Sequence, residues 1–273
     1  MADFWVPLAY AVLVWWLTTG VVWWLDRLPR STFRWSMAGA TALLLTAAYL
    51  LRISVADPSP RGAYLGFSAA ILMWGWLEMS FLMGFITGPR KQGCVERCSG
   101  WRHFLHATQA IIYNELATLL GAAALLAVTY RAPNRVALWT YLILWTMRLS
   151  AKLNLFLGVP NLGEQFLPAH LQYLKSFFRR RSMNFLFPLT ITASTLLSAY
   201  LVRRSWTARD GFHSVGNALE ASLLMLAVLE HWFMVLPIPS ETLWSWAFKG
   251  SAPEAERHPC RETRLAAEVP SHT

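Results

Sequence analysis

The stretch MRLSAKLNLFLGVPNL, Met147 to Leu162, sets Arg148, Lys152 and Asn154 inside an apolar run that begins near Val136 and is long enough to cross a bilayer. An ionised side chain near the centre of a spanning helix costs at least ~2.5–3.5 kcal/mol on insertion scales, so it faces protein groups or water rather than lipid. Arg148 and Lys152 are four residues apart and share one helix face. Their partners must come from other helices, and the chain offers Glu78, Glu115 and Glu230, each within a separate apolar run. The expected fold is therefore all-α: a polytopic membrane helix bundle of about seven spans closed around this buried charge cluster.

Composition points the same way. In 273 residues, 55% are hydrophobic and only 14% charged, more apolar surface than a soluble core requires. A net charge of +9 in a soluble chain would suggest nucleic acid; here basic loops on one side of a lipid bilayer explain it, and no nucleic-acid partner is expected. Indole rings favour the headgroup level, and Trp5, Trp23, Trp24, Trp35, Trp101, Trp139 and Trp206 fall near predicted helix ends.

In chain order, spans are expected near 5–25, 35–51, 63–86, 104–129, 136–158, 184–202 and 214–236, within a single domain covering 1–248. The first lacks a basic leader and a small-residue cleavage site, so it reads as a span and not a signal peptide. Thr87-Gly88-Pro89 breaks the third run, and Pro133-Asn134 makes a tight turn before the fifth. Between 168 and 179 the pattern changes. Leu171, Leu174, Phe177 and Phe178 share one face and Gln172, Lys175, Ser176 and Arg179 the other, which predicts an amphipathic helix lying at the membrane interface, with His170, Lys175 and Arg179 at the headgroups. The polar segment 249–273 has no period and reads as a disordered cytoplasmic tail. With an external N-terminus, one set of loops and the tail carries 15 Lys and Arg against 7 on the other side, which predicts a periplasmic N-terminus and a cytoplasmic C-terminus.

Several polar residues within or beside the spans are candidates for chemistry. His106, Asn114, Asn154 and His231 are candidate polar or pigment contacts, since an imidazole can ligate the magnesium of a chlorin or a haem iron. His213, Glu220 and His231 are spaced to project from nearly one face of the last span. Cys94, Cys98 and His103 have only a C-x3-C spacing, too little for a metal motif, and the three cysteines read as reduced loop thiols. No Gly-rich phosphate loop, GxSxG or HExxH is present, so no catalytic residue and no metal site is assigned.

Five stretches carry a family resemblance: FLMGFITGPR (Phe81 to Arg90), YNEL (Tyr113 to Leu116), WTMRLSAKLNLFLGVPNL (Trp145 to Leu162), PAHLQYL (Pro168 to Leu174) and MNFLFP (Met183 to Pro188). In order and spacing they resemble the PuhE-type family of photosynthetic complex assembly proteins of purple bacteria, over about Trp5 to Leu236. The resemblance implies a multi-pass assembly factor of the bacterial inner (intracytoplasmic) membrane. Its partners would be photosynthetic reaction-centre or light-harvesting subunits, with an influence on bacteriochlorophyll supply. The family pattern has a His before the Glu of the fourth span, where this chain has Asn114, a poor magnesium or iron ligand; Glu115 is then the expected partner of Arg148. The alternative function is a transporter or membrane enzyme using the carboxylate cluster, although no inverted repeat is visible.

Overall fold

The computed structural model describes residues 2–94, 99–237 and 243–248. Seven long helices follow one another: α1 (Ala2–Asp26), α2 (Phe33–Ser54), α3 (Pro60–Leu82), α4 (Gly100–Thr129), α5 (Val136–Leu157), α6 (Leu186–Thr207) and α7 (Gly211–Phe233), with a short α8 (Ser245–Phe248). Among the described residues there is no strand, and an isolated parallel bridge joins Val159 to Arg180. All of the long helices but α5 are apolar and long enough to cross a membrane, which makes the chain a multi-pass membrane protein. At 22 residues α5 spans about 33 Å, and Arg148, Lys152 and Asn154 make it the more polar one.

The helix ends have local causes. Ser59 accepts the Gly62 N–H at 3.2 Å and Pro60 opens α3, while Asp210 accepts the His213 N–H at 2.8 Å to start α7. Asn134, in the tight turn before α5, accepts the Val136 N–H and donates to the Ser54 and Asp57 carbonyls, so it ties this turn to the α2–α3 hairpin. At the end of α5, Gly158 has φ of 120°, a conformation that favours glycine, and an added Cβ would lie 2.8 Å from Arg181 Cγ.

α3 and α7 form the centre of the bundle; half of the apolar window of α3 and 67% of that of α7 is buried, against 11–22% for α1, α2, α4 and α6. Small residues let the backbones approach. A Cβ on Gly66 would lie 3.3 Å from the Ala137 nitrogen of α5, and one on Gly216 of α7 3.1 Å from Val136 Cγ2. Phe67, Ile71, Val215, Leu219 and Leu223 fill the space between.

Two expectations change. The third helix ends at Leu82, not near 86, because Gly84 (φ 80°) turns the chain back against the bundle. The amphipathic segment is a 3-10 helix, Ala169–Phe177, and its apolar face does not lie on lipid: Leu171, Leu174 and Phe177 pack on Phe81 and Leu82 of α3 and Ala110 of α4. A three-residue repeat stacks these side chains in one row at three residues per turn. The segment 249–273 lies outside the described residues.

Candidate functional site: a paired charge cluster at one end of the bundle

Glu78, Arg148, Lys152 and Glu230 sit three to nine residues before the C-terminal ends of α3, α5 and α7. That places them about 5–14 Å inside the helix ends, on the side where the basic loops gather. Arg148 Nη2 donates to Glu78 Oε2 at 2.8 Å, and Lys152 Nζ donates to Glu115 Oε1 at 2.6 Å. Lys152 Nζ also lies 5.3 Å from the centroid of the Phe81 ring. The pairing corrects one expectation: Glu115 serves Lys152, and Arg148 takes Glu78. Glu230 pairs with neither cation; its Oε1 accepts the Trp15 indole N–H of α1 at 2.8 Å. Arg148 and Glu78 are close enough to act on Glu230 electrostatically, so the five groups form one cluster of two cations and three carboxylates.

The cluster is only partly closed. Lys152 and Glu115 are four-fifths buried, whereas the Arg148 side chain is 39% exposed. On the same face of α5, Trp145 Nε1 and Arg148 Nε are buried with no hydrogen-bond partner among the described residues.

A polar frame holds the end of α5 below the ion pairs. Asn154, fully buried, donates to the Ser150 carbonyl at 3.0 Å, and its Oδ1 accepts from Asn184 Nδ2 at 3.0 Å. Asn184 also donates to the Gly158 carbonyl, and its Oδ1 accepts the Leu186 and Phe187 N–H groups that open α6. Asn161 donates to the Phe233 carbonyl at 3.1 Å and caps α7. Ser150 Oγ lies 3.1 Å from both Thr190 Oγ1 of α6 and His231 Nε2 of α7. Ser150, Asn184, Thr190 and Trp15 were not singled out from the sequence; of these, Ser150 and Asn184 lay in family-like stretches.

The loop after α3 lies directly on α4. Its Thr87 carbonyl accepts the Asn114 backbone N–H at 3.0 Å, and the Arg90 N–H donates to the Gln109 carbonyl at 3.3 Å. A Cβ on Gly88 would collide with the Gln109 carbonyl, so only glycine allows this approach. Gly84 faces the His170 ring, whose Nε2–H donates to the Leu82 carbonyl at 2.7 Å. Burial lowers the His170 pKa and raises that of Tyr173. The five stretches quoted above therefore converge on one end of the molecule, joined by the 115–152 ion pair, the 87–114 and 154–184 hydrogen bonds and the 84–170 contact.

No solved structure matches the chain. Residues 1–255 match DUF3623, described as a protein of unknown function. A Rhodobacter capsulatus relative, described as "Uncharacterized 30.4 kDa protein in puhA 5'region", is 38% identical over 261 residues, which cover 94% of this chain and 95% of the relative. The chain belongs to the DUF3623 family.

The remaining candidates take other places in this DUF3623 protein. His231 is 2% exposed, its Nδ1–H donates to the Ala227 carbonyl at 2.8 Å and its Nε2 meets Ser150, so neither ring nitrogen is open to the magnesium of a chlorin or to a haem iron. His103 and His106 instead approach Cys94 Sγ, at 3.3 and 3.9 Å. Cys94 is disulfide-bonded, which corrects its reading as a reduced thiol; Cys98 and Cys260 lie outside the described residues. Among the described residues no group of three His, Cys, Asp or Glu side chains could hold a metal ion. His213, Glu220 and His231 keep their spacing on α7 but do not share one environment: His213 is exposed and paired with Asp210 at 2.8 Å, while Glu220 and His231 are buried. Lys175 reaches Glu164 at 3.7 Å, and Arg179 lies over Phe156 while its N–H donates to the Leu155 carbonyl.

Proposed function

We propose that this protein is an integral membrane assembly factor for bacterial photosynthetic reaction-centre and light-harvesting complexes, influencing the supply of bacteriochlorophyll to them. The observation that carries the reading is the position of the 38% identical relative in the puhA 5' region. It agrees with the PuhE-type resemblance, whose stretches meet at the charge cluster. In this reading the cluster is where a client subunit is engaged. The part-exposed Arg148 guanidinium and the exposed Glu230 carboxylate offer a donor and an acceptor to a client's membrane-embedded segment. The protein acts in the inner (intracytoplasmic) membrane, with a periplasmic N-terminus and a cytoplasmic C-terminus.

Gene disruption tests the proposal. The expected outcome is a loss of near-infrared absorption from assembled complexes, with reaction-centre transcripts unchanged and absorption restored by the gene in trans. Normal complexes in the disrupted strain would overturn it.

A further inference from the structure

At the turn between α1 and α2, an open depression of about 420 Å³ is lined by Arg30, Ser31, Phe33, Arg34 and Phe85. Phe33 is 7% exposed and forms the floor, whereas Phe85 stands 56% exposed at the rim. Among the described residues neither arginine forms an ion pair; the Arg34 guanidinium lies over the Trp35 ring at 5.7 Å. Lys91 and Arg30 both lie near enough to His170 to act on it electrostatically, so a third cation stands close by. The depth of the depression is marked by two exposed indoles, Trp24 in the last turn of α1 and Trp35 in the first turn of α2, which belong at the level of the lipid headgroups.

We propose that this depression binds the phosphate of an anionic phospholipid headgroup. Two guanidiniums four residues apart present paired N–H donors to phosphate oxygens, Ser31 adds a hydroxyl, and Phe33 with Phe85 offers an apolar surface to the glycerol and the start of the acyl chains. The unpaired positive charge calls for an anion, and its depth selects a lipid over a soluble one. This site differs from the charge cluster, and the proposal stands independently of the photosynthetic role.

The test uses the full chain in phosphatidylcholine nanodiscs, with and without phosphatidylglycerol, reading bound lipid by native mass spectrometry. The wild type is expected to retain phosphatidylglycerol over phosphatidylcholine. The double variant Arg30→Gln with Arg34→Gln should bind it about 30-fold more weakly, or about 2 kcal/mol at roughly 1 kcal/mol per arginine. An unchanged melting temperature in pure phosphatidylcholine shows that this variant folds. The control Arg203→Gln with Arg204→Gln, near the C-terminal end of α6, should keep the preference. Three results would overturn the proposal: no preference in the wild type, equal loss in the control, or competition by inorganic phosphate, which would indicate a soluble-anion site. A double variant that fails to fold shifts the test to Phe85→Ser, which must then lose the preference for the proposal to stand.

Discussion

Lys152 and Glu115 lie at 2.6 Å in a four-fifths buried pair, so removing one leaves the other charged in an apolar setting. Lys152→Met alone is expected to cost ~3–5 kcal/mol and to lower the amount of protein in membranes, whereas Lys152→Met with Glu115→Gln recovers most of it. Thermal melts in detergent with immunoblots check both, and equal loss in single and double variants would show that the pair contributes nothing. His170 supplies a pH dependence. Burial holds its imidazole below its ordinary pKa of 6.5, so the folded state favours the neutral ring. The stabilisation is present above about pH 6.5 and is lost as pH falls through the lower folded value. His170→Gln, which keeps a donor for the Leu82 carbonyl, should flatten the decline of the melting temperature between about pH 7.5 and 5, a window set by the same reference value. That carboxylates would meet Arg148 and Lys152 was legible in the sequence, because hydrocarbon offers a charge no other partner. Which carboxylate meets which cation was not. The depth of Glu115 depends on how far α4 projects past the bundle, and this is fixed by the loop at Thr87 and Gly88 packing on its backbone.

At the scale of elements, the 3-10 segment Ala169–Phe177 acts as a plug on the bundle, with Leu171 only 2% exposed against Leu82 and Ala110. Leu171→Ala should therefore destabilise the protein by ~2–5 kcal/mol, as in a packed core. A melt in detergent decides this, since a helix that merely lay on lipid would lose little. Asp210→Ala, removing the cap on α7 and its contact with His213, should lower the melting temperature in the same assay, by less than Leu171→Ala does. The long helices were legible because apolar runs of this length have few other uses in water or lipid. The segment 168–179 was legible only as amphipathic. Leu171, Leu174 and Phe177 fit both a 3.6- and a 3-residue period, and the sequence does not say whether an apolar row meets lipid or the bundle. That choice depends on Gly84 turning the preceding loop under His170.

On the scale of the whole molecule, the seven helices put successive loops on alternate sides, and the sequence assigns 15 Lys and Arg to one set of loops with the tail against 7 to the other. A fluorescent reporter fused after Thr273 should be bright and a phosphatase fusion there inactive; the reverse pattern would invert the orientation. The larger claim is that the converging stretches form a working site and not only a brace. Arg148 tests it, being the most exposed member of the ion pairs. Arg148→Leu alone confounds folding with function, because Glu78 is left unpaired, so the decisive variant is Arg148→Leu with Glu78→Gln. The measurement is near-infrared absorption of assembled complexes against the amount of this protein, by immunoblot, in the same membranes. Protein near the wild-type level with complexes still low is the expected result; protein and complexes restored together would show that the cluster is only a brace.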